Sequence, residues 1–349
     1  MKNVTPDLDK RKAFILATVV YEYIATGEPV GSNTLTQKYN VGVSSATIRN
    51  EMAELEAGGY LVQPHTSAGR IPSDAGYRTY VDQLMSPETL AADEQWRIKD
   101  EFRRASRELG EVIEHTTRLL SQLSQNLAFV LAPLRDAQTF RHIQLIWLST
   151  QTGLAVIVTS LGVASQTLFE FLEQVSADDL TRLSNRLNST LGGLHLRDIT
   201  LDFIGAAVRE AGLDEGLARE IERVFHTASS TPEPAISASG AQHLLDKPEF
   251  QDLRKLRAIL RIVEEQKSLY DLVADSIHTS GTTVKIGHEL GSDEITECSI
   301  VTVPYEGGEG VGGVLAILGP RRMPYGRLMA LAAGTAESLS AHLAGTELR

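Results

Sequence analysis

The first 84 residues set helical stripes and chain breakers in an order that few folds satisfy. Residues 10–26 carry Ala13, Phe14, Ala17, Val20, Tyr21 and Ile24 at helical spacing, which predicts a helix with those side chains inward. Gly27-Glu28-Pro29 ends it, because proline cannot continue the hydrogen-bond ladder. A short second helix is expected from Ser32 as its cap, with Leu35 and Tyr39 inward, followed by a turn at 40–43. A third opens at Ser44-Ser45, buries Ile48, Met52 and Leu55, and stops at Gly58-Gly59. Residues 60–64 and 70–72 read as the arms of a hairpin with a polar tip at 65–69, where Gly69 permits the turn. A helix capped at Ser73 follows, with Tyr77, Val81 and Leu84 inward. Three helices, a hairpin and a closing helix describe a winged helix-turn-helix.

The third helix is the candidate reader of DNA. With Ile48 inward, a rotation of about 100° per residue turns Ala46 and Asn50 outward, flanked by Arg49 and Ser45. Arginine can grip guanine and asparagine adenine through paired hydrogen bonds in the major groove. Ser44, Ser45 and Thr47 join them as candidate contacts at the start of the helix, while Glu51, Glu54 and Glu56 fall in its other half. In the hairpin, His65, Thr66, Ser67 and Arg70 are candidate contacts to phosphate or the minor groove. Lys38 and the run Lys10-Arg11-Lys12 are further phosphate candidates, and each reads equally well as a solvated helix end.

A formal net charge of −12 speaks at first against a nucleic-acid partner. Residues 1–85, however, carry 8 Lys/Arg against 9 Asp/Glu, whereas the rest of the chain carries 25 against 36. The acidity therefore lies outside the candidate reader, where it discourages unspecific adhesion to DNA. No apolar run approaches the roughly 20 residues needed to cross a bilayer, so no membrane partner is expected. A single cysteine, Cys298, leaves no internal disulfide and no multi-cysteine zinc site, which suits a cytoplasmic protein.

Further along, residues 88–125 read as one long helix interrupted only by Gly110. Its stripe Phe102, Ala105, Leu109, Val112, Thr116, Leu119 and Leu123 keeps a heptad spacing that fits either a dimer seam or packing within the chain. Strand patterns follow at 142–149, 154–160 and 164–171, then a helical, polar stretch to 225 and a loop-like one at 228–239. Another amphipathic helix is expected over 250–278, strands at 284–286, 298–304 and 312–319, and a last helix over 324–343. Strands, a helical interlude and more strands suggest one α/β domain with a module inserted into it.

Catalytic patterns are lacking. Gly308, Gly310 and Gly313 spell a dinucleotide motif, but it leads into Val314-Leu315-Ala316-Ile317-Leu318, a strand and not a phosphate-facing helix start. The nine histidines are scattered and none has a second ligand at metal spacing. Cys298 sits in a strand pattern as a small core residue. The expectation is a protein with no enzymatic activity, no metal and no cofactor.

Specific strings then stand out: Val43-Ser44-Ser45-Ala46-Thr47-Ile48-Arg49-Asn50-Glu51-Met52, Gly59-Tyr60-Leu61, and Gln63-Pro64-His65-Thr66-Ser67-Ala68-Gly69-Arg70-Ile71-Pro72. With Glu28-Pro29-Val30-Gly31-Ser32 before them and Gly76-Tyr77-Arg78 after, they closely resemble the heat-inducible transcription repressor HrcA family. Weaker likeness at Leu245 with Pro248-Glu249-Phe250, and at Gly319-Pro320 with Arg322-Met323 and Tyr325, extends the resemblance over the chain. It implies an α+β protein: a winged helix-turn-helix (1–86), a GAF-like α/β domain in two parts (87–172 and 246–349), and a dimerisation module inserted between them (173–245). It also implies a homodimer that represses chaperone operons from an inverted-repeat operator in double-stranded DNA, kept active by the GroEL chaperonin. Three rival readings remain: a GAF-type regulator answering to a small ligand, an enzyme using the glycine-rich hairpin, and an oligomer whose winged helix binds protein.

Overall fold

Apolar and polar residues alternate in some strands of this chain and not in others, and that difference divides the molecule. The computed structural model describes residues 8–39, 41–65, 68–106, 108–133, 138–160, 162–171, 175–229, 236–307 and 312–345. The order of elements begins with α1 (Lys10–Thr26), α2 (Ser32–Lys38), α3 (Ser45–Ala57), β1 (Leu61–Val62), β2 (Ile71–Pro72) and α4 (Asp74–Thr79). It continues through α5 (Ala92–Arg104), α6 (Leu109–Ser124), β3 (Leu127–Leu131), β4 (Phe140–Trp147), β5 (Thr152–Thr159) and β6 (Gly162–Glu170). Then come α7 (Ala177–Leu191), α8 (Leu201–Glu210), α9 (Glu215–Ser229), β7 (Ile236–Ser239) and α10 (Gln242–Leu245). The last are α11 (Leu253–Glu264), α12 (Gln266–Val273), β8 (Thr283–Ile286), β9 (Cys298–Glu306), β10 (Gly312–Pro320) and α13 (Tyr325–Leu343).

One antiparallel sheet has the order β7-β3-β10-β9-β8. Alternate residues serve two different cores. Ala128, Val130, Val301, Val303, Leu315 and Ile317 face a cluster with α5, α6 and α13. Leu127, Phe129, Leu131, Ile300, Val314, Ala316 and Leu318 face a second cluster with α11 and α12. A sheet covered on both faces needs apolar residues at every position, hence the unbroken runs of β3 and β10. The first cluster also takes in Ile15, Leu16, Val19, Leu35, Ile48, Met52, Leu55 and Tyr77, so α1–α4 share a core with the rest.

The other large sheet, β4-β5-β6, stands apart. Its inner face packs Phe140, Ile143, Leu145, Ala155, Ile157 and Phe169 against α7, α8 and α9 in a core of its own. The strands expected at 142–171 therefore do not join the strands near the C-terminus. They belong with the helices that follow them, in a common core that runs from Phe140 to Ala228.

Other expectations shift for identifiable reasons. The buried face of α1 is Ile15, Leu16, Val19 and Val20, so of the expected stripe Val20 is buried while Phe14 and Tyr21 lie exposed, because two apolar stripes run along that helix. The segment 88–125 breaks at extended Ala105 into α5 and α6. Phe102, Val112, Thr116 and Leu119 from its heptad stripe are buried within the chain. The helix expected over 250–278 breaks at Glu265. Strand β3 forms where no strand is expected, and β7 lies within the expected loop at 228–239. Gly308 and Gly310 lie outside the described residues, whereas Gly313 pairs with Tyr305 in the β9–β10 hairpin.

Candidate nucleic-acid interface

Helix α3 buries Ile48, Met52 and Leu55, as its spacing requires, and turns Arg49 and Asn50 outward. Neither of the latter has a side-chain hydrogen bond or ion pair among the described residues. The hydroxyls before them build the turn. Ser44 Oγ accepts from the Thr47 N–H at 3.2 Å, a cap that satisfies one unpaired donor of the helix start. Thr47 Oγ1 lies 3.0 Å from Ser44 Oγ. Ser45 Oγ donates to Asn33 Oδ1 at 2.6 Å and lies 3.0 Å from Ser32 Oγ, which locks α2 against α3. Ser32 is thus the first residue of α2 and not its cap, the role that falls to Gly31.

All three acids of α3 are neutralised from outside the helix. Glu51 is gripped by Arg11, whose Nε donates to Oε1 at 2.8 Å. Glu54 pairs with Lys12 at 2.8 Å and Glu56 with Arg70 at 2.9 Å. Glu51 is almost wholly buried, so Arg11 offsets a charge that would otherwise be costly to desolvate. The result is a helix whose carboxylates are tied off while its Arg49 guanidinium stays free.

Several of the basic residues are engaged within the fold. Arg70 is mostly buried, bonded to Glu56, and its backbone exchanges two 2.9 Å hydrogen bonds with Val30. It braces the hairpin against α3. Lys38 pairs with the buried carboxylate of Glu22, which also accepts from Tyr39 Oη at 2.7 Å. Lys38 and Tyr39 together hold the Glu22 carboxyl below its ordinary value, against the effect of burial. Burial and the neighbouring Glu22 push the Tyr39 phenol up to about 12. Arg11 and Lys12 are likewise engaged, whereas Lys10 is exposed. His65 is exposed, and Thr66 and Ser67 lie outside the described residues. Gly69 is needed for close approach and not for a turn, because a Cβ there would lie 2.4 Å from the Val30 carbonyl oxygen. Sequence spacing could not find these pairings, since each joins residues from different elements.

Elsewhere the chemistry is quiet. Among the described residues no three histidine, cysteine or acidic side chains could hold a metal ion. Cys298 is buried, and burial pushes its thiol up to about 12. No described helix is long and apolar enough to cross a membrane.

An α+β protein that presents a short capped helix beside a hairpin, with every acid of that helix tied off, has the features of a transcription regulator. The family model described as the HrcA protein C-terminal domain matches residues 110–329. The heat-inducible transcription repressor HrcA of Pelotomaculum thermopropionicum is 39% identical over 334 residues, covering 95% of this chain and 96% of that protein. The repressor of the same description from Desulforudis audaxviator is 38% identical over 335 residues, covering 95% and 97%. A solved structure described as a hypothetical protein aligns with a TM-score of 0.60 at 26% identity, covering 97% of this chain and 98% of its own. The chain belongs to the HrcA family of heat-inducible transcription repressors.

Proposed function

We propose that this repressor binds an inverted-repeat operator in double-stranded DNA as a homodimer, and that α1–α4 with the β1–β2 hairpin act as a winged helix-turn-helix. In this reading α3 enters the major groove, Arg49 and Asn50 read base edges, and Ser44, Ser45 and Thr47 line the approach. The single observation that carries it is the contrast on α3: exposed, unengaged Arg49 and Asn50 beside three neutralised acids. Lys10, His65, Thr66 and Ser67 are the candidates for backbone contact, and Lys38 and Arg70 also brace the unit through Glu22 and Glu56. The five-stranded sheet and its helices serve as the GAF-like body, and the separately cored part around β4–β6 as the inserted dimerisation module.

Support for a dimer comes from the outer face of β4–β6. There Ile146, Leu154 and Leu168 stand side by side across three strands, and Ile146 and Leu168 are exposed. A row of that kind suits a second copy better than water. Chaperonin control, with GroEL holding the repressor competent, is proposed on family membership alone.

The test is a gel-shift of the full chain on the promoters of its host's chaperone operons. Arg49→Ala and Asn50→Ala should each weaken specific binding by about 1–3 kcal/mol, leaving unspecific binding and fold largely intact. Wild-type affinity in both variants would remove α3 from the base-reading role. Leu168→Asp should yield monomers in analytical ultracentrifugation, and an intact dimer would move the interface elsewhere. Added chaperonin should raise the fraction of protein able to shift DNA, and no change in that fraction would end the regulatory part of the proposal.

A further inference from the structure

The unit α1–α4 is mounted on the body at three separate points, two of them ion pairs and one a hydrogen bond from a guanidinium to a backbone carbonyl. At the N-terminal end of α4, the Asp74 carboxylate accepts from Arg321 Nη1 at 2.7 Å and from the His288 N–H at 3.2 Å, and lies 2.7 Å from His288 Nδ1. Arg321 reaches back to Glu297 at 2.7 Å. At the C-terminal end of α1, Arg322 Nη1 donates to the Ile24 carbonyl at 3.1 Å while its Nε donates to Glu249 at 2.7 Å. One turn along α4, Arg78 donates to the Val284 carbonyl of β8 at 2.6 Å and to Glu289 at 3.0 Å. Between these points Tyr77 and Tyr325 meet edge to face, with ring centroids 6.0 Å apart.

The division of labour follows from the physics of each contact. Apolar surface adheres without direction, whereas paired charges at fixed points define an orientation. Three points suffice to fix one rigid unit on another. Arg321 and Arg322 are consecutive residues in the turn between β10 and α13, and that turn is itself tied down. The Arg321 N–H donates to the Glu297 carbonyl at 2.9 Å, and Tyr325 Oη donates to the Arg321 carbonyl at 2.6 Å. The packing is close: a Cβ on Gly287 would fall 2.2 Å from Asp74.

We infer that Asp74, Arg321 and Arg322 are positioning residues for operator binding, which hold α3 in one orientation on the body and so set the half-site spacing that a dimer accepts. This rests on the reading of α3 as the DNA reader. The Asp74–Arg321 pair is only partly buried, and such a pair contributes little net stability, so its use here is orientation. If only a fraction of molecules holds the competent orientation, apparent affinity for a correctly spaced repeat falls by that fraction, whereas affinity for one half-site does not.

The experiment uses the full chain in two double variants that remove both partners of a pair, Asp74→Asn with Arg321→Met, and Arg322→Met with Glu249→Gln. Spin labels at Gln37→Cys and Glu337→Cys report the distance between α2 and α13, and buried Cys298 does not compete for label. Operator binding is measured on the native repeat, on one with a half-site shifted by half a turn, and on a single half-site. In dimers labelled on one subunit only, the wild-type chain should give one narrow distance, and the unlabelled protein a preference for the native spacing. Both variants should broaden the distance and reduce that preference about tenfold, with single half-site affinity within about twofold of wild type. Arg321→Lys alone, which keeps the pair with Asp74, should restore most of the preference. An unchanged spacing preference in the double variants overturns the positioning role, whatever the distances do. Equal loss on the single half-site and on the repeat also overturns it, since the residues then act on the reader itself. Wild-type protein that prefers no repeat over scrambled DNA ends the DNA-reading proposal instead, and the positioning role with it.

Discussion

The two large sheets solve the same problem in opposite ways. The sheet β7-β3-β10-β9-β8 has a core on each face, and the edge carbonyl of Val284 on β8 receives the Arg78 guanidinium. The sheet β4-β5-β6 has one core, an outer face with exposed Ile146 and Leu168, and an edge at β4 closed by side chains. Asn188 of α7 accepts from the Ile143 N–H at 2.7 Å and donates to the Ile143 carbonyl at 3.0 Å, and Ser184 accepts from the Leu145 N–H at 2.9 Å. A helix here does for one edge what a neighbouring strand would otherwise do. The first sheet is finished within one chain. The second is finished only on its inner side, which is the physical reason to look there for a partner.

The contrast predicts a graded series of effects. Leu315, fully buried in the first sheet, should cost about 2–5 kcal/mol when changed to Ala, read from urea unfolding followed by circular dichroism. A smaller loss would mean that this layer collapses around the cavity and is less tightly packed than the unbroken apolar pattern suggests. Asn188→Ala leaves the Ile143 N–H and carbonyl without partners at a part-buried edge and should cost about 1–3 kcal/mol. A neutral result would show that water reaches β4 and that this edge is not closed at all.

Acid should loosen the covered edge of the first sheet by a lesser amount. Burial works against ionisation of Asp74, but the Arg321 and His288 hydrogen bonds outweigh it and hold the carboxyl below its ordinary value. The stabilising contribution is therefore complete above the unfolded value of about 3.9 and is lost as pH falls through the folded one. Comparing acid titrations of wild type and Asp74→Asn should show a difference of about 1 kcal/mol that vanishes at low pH. A difference that persists unchanged into acid would assign the effect to packing. The smallest change is expected at Leu168→Ala on the open face, within about 0.5 kcal/mol at protein concentrations low enough to disfavour dimers. A loss as large as that at Leu315 would mean the face is already covered within one chain.

Much of this architecture could be read along the chain because its cause is local. The core positions Ile48, Met52 and Leu55 follow from helical period, the cap at Ser44 from its hydroxyl, and the strands at 298–304 and 312–319 from apolar runs between glycines. The exposure of Arg49 and Asn50 follows from the same period. What the linear pattern left open are relations between elements. Both stripes of α1 were apolar enough to be buried, and only packing against α3 and the hairpin selected Ile15, Leu16, Val19 and Val20. Arg70, Lys38, Arg11 and Lys12 look alike as free cations in a sequence. Their partners Glu56, Glu22, Glu51 and Glu54 lie from 14 to 42 positions away, and the distances that bind them exist only once the helices have docked. The same is true of the strands. Residue type made β4–β6 and β8–β10 equally strand-like, but which strands pair is decided by hydrogen bonds between distant segments. Period and capping are properties of a few neighbouring residues, whereas charge pairing and sheet membership are properties of the folded volume.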